Sequence, residues 1–152
     1  MKYSDIYRLY STSQPKDAIH QALREVPVDD SDEQYEDRSP LHLACQYGDT
    51  EGVKILLERD AEPNTKDANG STPIHILGRT SAGCADEDKL KEIAVMLIEQ
   101  GANIPRSAKN TTALIECIRN RHFKMAEAII AGIRKYFAKN PPLAKSKLAR
   151  LD

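Results

Sequence analysis

His42, Cys45 and His75 are the residues whose types and spacing could do chemistry. The run His42-Leu43-Ala44-Cys45 offers an imidazole and a thiol close together in sequence, a pairing that suits a metal ligand set or a nucleophile with its base. Zinc needs about four convergent ligands at its usual spacings, and no second His/Cys pair lies near. His75 follows His42 by 33 residues in a matching phrase, Ser39-Pro40-Leu41-His42-Leu43 becoming Thr72-Pro73-Ile74-His75-Ile76. Two histidines at equivalent places of a repeated phrase are explained by one shared structural job. No metal and no cofactor is expected from these residues.

The three cysteines divide in the same way. Cys45 and Cys117 fall at small-residue positions of apolar helical runs, where Cys serves as a compact apolar side chain. Cys84 lies among small and polar residues that suit a loop, with Arg79 the nearest positive neighbour that could activate its thiol. The chain has no GxSxG, Walker loop, dinucleotide fingerprint or HExxH, so no catalytic residue is expected and no enzyme activity is read from it.

The elements that would carry these residues read as helix pairs. Tyr3, Ile6, Tyr7, Leu9 and Tyr10 keep helical spacing, with Ser4 a candidate N-cap. Pro15 suits the first position of a second helix, whose Ala18, Ile19, Ala22 and Leu23 share a side and which ends before Pro27. Ser39-Pro40 opens a third helix closed by Gly48, and a fourth runs from about Thr50 to Arg59 with Val53, Ile55, Leu56 and Leu57 as its buried set. Gly52 is a soft spot on that helix, and Asp60, a residue type that tolerates left-handed geometry at some cost, follows its end. Between Thr72-Pro73 and Gly101-Ala102-Asn103 the spacing exceeds that of the preceding unit by eight residues, the excess falling at 79–86. Asp86 or Asp88 caps the next helix, with Leu90, Ile93, Ala94, Leu97 and Ile98 inward. The last pair reads Thr111-Thr112-Ala113-Leu114-Ile115, then Phe123 through Phe137 until Asn140-Pro141-Pro142 stops it.

Composition bounds the rest. The 152 residues, 40% apolar and 30% charged, suit one soluble domain with a core of Leu, Ile, Val and Ala, there being no Trp and two Phe. No run approaches the roughly 20 apolar residues of a membrane helix, the N-terminus lacks a secretory apolar stretch, and scattered cysteines suit a reducing compartment. A cytoplasmic protein is expected, or one delivered into a host cytosol. Net charge is −1, yet Glu25 to Asp37 holds seven acidic residues and no basic one, while Arg134 to Asp152 holds six basic residues and one acidic. The acidic stretch is either a solvated loop or one side of a docking surface.

Ser/Thr-Pro-aliphatic-His-aliphatic at a 33-residue period resembles the ankyrin repeat, whose signature is T-P-L-H-x-A. The resemblance implies an all-α ankyrin-repeat solenoid of about four helix-turn-helix units joined by β-hairpin loops. It divides residues 1–140 into a degenerate N-terminal repeat (4–25), two near-consensus repeats (37–67 and 69–104, the latter with the 79–86 insertion) and a capping repeat (109–138). Residues 141–152 are expected to form a flexible basic tail. In that family the motif histidine links adjacent repeats, and a partner protein is bound by the concave face. Carried over by position, the binding residues are Glu36, Arg38, Gln46 and Tyr47, then Asn69, Ser71, Arg79 and Thr80, then Lys109, Thr111, Arg119 and Asn120. These twelve are read as dispensable for the apolar stack and so open to a partner.

The function expected is a monomeric protein-binding module acting by occupancy, as adaptor or as inhibitor or immunity-type protein. The alternatives are a host-directed effector using the same surface, or a nucleic-acid binder using Arg119, Arg121, Lys124, Arg134 and Lys135.

Overall fold

A computed structural model describes residues 1–80, 86–102 and 108–139, the side chains at 108–112 and 136–137 excepted. The middle of the insertion with Cys84, Asn103, the Lys109 and Thr111 side chains and the 141–152 tail lie outside the described residues. Eight α-helices are described: α1 (Tyr3–Ser11), α2 (Lys16–Glu25), α3 (Pro40–Gln46), α4 (Thr50–Glu58), α5 (Pro73–Arg79), α6 (Glu87–Glu99), α7 (Ala108–Arg119) and α8 (Phe123–Lys139). They pack as consecutive pairs, and the pairs stack. α1, α3, α5 and α7 form an inner row, and α2, α4, α6 and α8 form an outer one.

Apolar spacing fixes which side of each helix turns inward. Ile19, Ala22 and Leu23 are buried on α2, Val53, Ile55, Leu56 and Leu57 on α4, and Leu90, Ile93, Ala94 and Leu97 on α6. Ala18 is exposed on α2 instead, because it lies about 100° from Ile19, beyond Ala22, which at about 60° forms the edge of the buried stripe. Two helix starts also differ from expectation. α1 begins at Tyr3 with Lys2 as N-cap, its N–H held by the Asp5 carboxylate at 2.9 Å, so Ser4 lies inside the helix. Pro15 is the N-cap of α2 rather than its first residue.

Proline sets the inner-row lengths. Pro40 and Pro73 occupy the first position of seven-residue helices, where the missing N–H costs nothing and the preceding residue is held extended. In the last pair Ala113 stands in the proline's place, and α7 runs back to Ala108 to give twelve residues. The inner helix α3 closes as expected, with Gly48 at φ +61°, and Asp60 adopts φ +63° after α4.

The connections are tight turns, and no strand occurs among the described residues. At residues 67–71 Asp67 N–H donates to Ser71 O, and the Asp67 carboxylate accepts from the N–H groups of Asn69 (2.9 Å) and Ser71 (2.8 Å). The side chain thus performs the pairing that a hairpin ladder would otherwise supply. A single 3-10 turn, Glu33–Tyr35, lies in the connection between α2 and α3 and is capped by Asp32. Arg59 donates to the carbonyls of Leu23 and Val26, both at 2.7 Å, satisfying the end of α2 from the next pair.

Candidate functional site

The motif histidines are built into the stack. His42 is fully buried on α3; its Nδ1 accepts from Ser39 N–H at 3.1 Å and lies 2.9 Å from Ser39 Oγ. Its Nε2–H then donates to the carbonyl of Ser71 at 2.8 Å, 29 residues on. One imidazole therefore caps its own helix and ties it to the next repeat. Burial lowers the affinity of His42 for a proton, against the smaller opposing pull of the Ser71 carbonyl and Asp67. His75 repeats the cap with Thr72, its Nδ1 lying 2.8 Å from Thr72 Oγ1.

A further link between repeats is made by a histidine outside the repeated phrase. His122 Nε2–H donates to Thr80 O at 2.6 Å, and Asn120 Nδ2 donates to Gly78 O at 2.9 Å, so the last pair is joined to α5 from the α7–α8 turn. The motif position in that pair is Ile115, which is exposed. His122 lies outside the repeated phrase, so period gave no signal for it. The cysteines Cys45 and Cys117 are both buried; burial pushes the Cys45 thiol far up and that of Cys117 to about 11, which keeps both protonated. Among the described residues no three His, Cys, Asp or Glu side chains converge as a metal site would require.

A buried polar cluster joins the first two helix pairs. Asp49, the N-cap of α4, accepts from Tyr10 Oη at 2.7 Å, from Gly52 N–H at 3.1 Å and from His20 Nε2 at 3.0 Å, with Lys16 Nζ at 3.9 Å. Burial alone would raise the Asp49 carboxyl, but the Tyr10, His20 and Gly52 donors outweigh it and hold the group below its usual range. This cluster explains Gly52, which is a close approach rather than a soft spot. A Cβ there would sit 2.7 Å from Asp49 Oδ2 and 2.9 Å from Tyr10 Oη. Gly52→Ala is therefore expected to destabilise by about 1–3 kcal/mol despite alanine's better helix propensity. Urea unfolding checks this; a stabilised Gly52→Ala would mean the cluster yields freely.

The twelve candidate binding residues separate by burial. Arg38 is half-buried: it pairs with Glu36 at 2.6 Å, approaches the buried Asp67 carboxylate to 3.5 Å and donates to Gln46 Oε1 at 2.9 Å. Glu36 O also accepts from Ala68 N–H, so the Glu36 backbone and the Arg38 side chain tether one turn to the next, Gln46 holds Arg38 in place, and the Glu36 side chain itself is exposed. Tyr47 lies flat against Tyr10, the ring centroids 4.8 Å apart at 13°. Ser71 and Thr80 are buried, Ser71 Oγ accepting from Arg79 and Thr80 Oγ1 donating to Ile76 O, so neither offers side-chain surface. Asn120 is half-buried on Gly78 O. Asn69, Arg79 and Arg119 are exposed, Arg119 pairing with Glu116 at 3.1 Å. Lys109 and Thr111 belong to the α7 backbone, with side chains outside the described residues. A groove of about 330 Å³ lies instead on the outer row, between Lys91, Val95 and Ile98 of α6 and Glu127, Ala131 and Lys135 of α8.

Comparison with known proteins agrees with this architecture. The family described as ankyrin repeats (many copies) matches residues 22–77. Over 69 residues, 45% of this chain, it is 38% identical to a homolog of transient receptor potential cation channel subfamily A member 1 from Caenorhabditis elegans. Human Rabankyrin-5 is 51% identical over 39 residues, 26% of this chain, and an ankyrin repeat-containing protein of Schizosaccharomyces pombe is 36% identical over 77 residues, 51% of it. The matched stretches span 6%, 3% and 31% of those relatives' own lengths, so the likeness is one of repeats. Among the described residues no helix is long and apolar enough to cross a membrane.

Proposed function

We propose, on the premise that this chain belongs to the ankyrin-repeat family through residues 22–77, that it is a protein-binding module acting by occupancy. The observation that supports this most is the exposure of Asn69 and Arg79 at one level of the inner row and of Arg119 at the next, on backbone pinned by the buried contacts of His42 and His122. Side chains held out from a fixed frame lose little entropy on docking, and arginine is among the types that concentrate binding energy. Arg79 is already oriented by its hydrogen bond to Ser71 Oγ. The nucleic-acid reading is weakened at Lys124, which is engaged by Asp88.

The experiment is affinity purification of the intact protein from its own cell, followed by titration of the recovered protein partner. Arg79→Ala with Arg119→Ala is expected to weaken that complex by roughly tenfold or more. The thermal midpoint should move by no more than about 2 °C, as suits exposed positions. An unchanged affinity would overturn the placement of the site on the inner row.

A further inference from the structure

Five of the chain's six tyrosines meet where α1, the Glu33–Tyr35 turn and the end of α3 come together. The Tyr7 and Tyr35 rings lie 4.3 Å apart, Tyr3 and Tyr35 5.7 Å apart, and Tyr10 stacks on Tyr47. Tyr3 and Tyr10 are buried, while Tyr7, Tyr35 and Tyr47 remain partly open to solvent.

The rim of this patch is acidic. Within residues 25–37 the Asp30 carboxylate accepts from Tyr3 N–H at 2.7 Å and Glu36 pairs with Arg38. Asp29, Asp32, Glu33 and Asp37 have no ion-pair partner among the described residues. Half-open aromatic rings, negative on their faces, inside a rim of uncompensated carboxylates select a cation. At the edge of the cluster Lys16 Nζ lies 5.8 Å from the Tyr10 ring centroid, with the Asp49 carboxylate 3.9 Å away.

We infer that the Tyr7–Tyr35–Tyr47 patch receives an arginine-bearing segment of the partner protein, the guanidinium lying on the rings and the acidic rim steering its approach. Arginine fits better than lysine because its plane stacks on aromatic faces and sheds water more readily. The inference rests on the protein-binding reading and names the chemistry of the partner.

The test uses the full chain and three acetylated octapeptides, alternating Gly with Arg, with Lys or with Glu, followed by calorimetric titration. The Arg peptide should bind more tightly than the Lys peptide, the Glu peptide should not bind, and affinity should fall steeply from about 50 to about 300 mM salt. Tyr35→Leu should weaken the Arg peptide by about threefold to tenfold while leaving the salt dependence in place. Asp29→Asn with Glu33→Gln should flatten that dependence. Tyr35→Phe keeps the ring and should stay near the parent affinity, which separates loss of the ring from loosening of the turn. Equal binding of Arg and Lys peptides, an unaffected Tyr35→Leu or displacement of the peptide by self-association at high protein concentration would each overturn the inference. If the peptides fail while Arg79 and Arg119 still govern the recovered partner, this inference falls and the proposed function stands; if neither matters, both fall.

Discussion

Replacing Asp49 by Ala is expected to cost about 3–5 kcal/mol, a large part of the stability of a single domain. The carboxylate is almost wholly buried and serves three donors from three elements: Tyr10 of α1, His20 of α2 and the Gly52 amide of α4. Truncation leaves the Tyr10 hydroxyl and the Gly52 N–H buried without acceptors, and it removes the N-cap of α4. Tyr10→Phe removes one donor and leaves the others, so its cost should be nearer 1–2 kcal/mol. The thermal midpoint of Asp49→Ala should fall by roughly 10 °C. A loss below about 1 kcal/mol would mean that water replaces the cluster without penalty.

The same carboxylate gives the cluster a pH signature. Its folded proton affinity is lowered, so the folded state binds fewer protons here than the unfolded chain. The contribution is full above the ordinary carboxylate range and is lost as pH falls through the folded value. Asp49→Asn should therefore be less stable than the parent at neutral pH, with the difference shrinking on acidification. A gap that widened toward low pH would reverse the sign.

Periodicity carried most of the fold. The repeated phrase at 39–43 and 72–76 located two inner helices, two capping histidines and the order of stacking, because each follows from one recurring local rule. Contacts between residues far apart in sequence left no such trace. Nothing in the spacing of Tyr10, His20 and Asp49 shows that they share one buried site, and Gly52 read alone is only a poor helix former. Arg38 and Gln46 illustrate the converse: their polarity suggested surface, but the next turn brings the Asp67 carboxylate to within 3.5 Å of Arg38. A polar residue in a stacked repeat has two possible customers, a partner and the adjoining turn, and its own sequence neighbourhood does not distinguish them.

His42→Ala provides the sharpest separation of a structural histidine from a functional one, with an expected loss of about 3–4 kcal/mol. The imidazole is fully buried and uses both nitrogens, so its removal opens a cavity and orphans the Ser71 carbonyl together with the Ser39 N–H. Its sign with pH follows from burial, which lowers the folded proton affinity below the ordinary value of 6.5. Below that pH the unfolded chain takes a proton that the folded chain refuses, so stability falls by up to about 1.4 kcal/mol per pH unit until the folded value is reached. Above it the full contribution is present. Urea unfolding of the parent and of His42→Ala between about pH 7 and pH 5 tests both claims, since the difference between the two proteins should narrow as pH falls. Parallel curves would mean that His42 takes up its proton inside the fold. That result would be incompatible with an Nδ1 that accepts from Ser39 while Nε2 donates to Ser71, and the link between repeats would need another explanation.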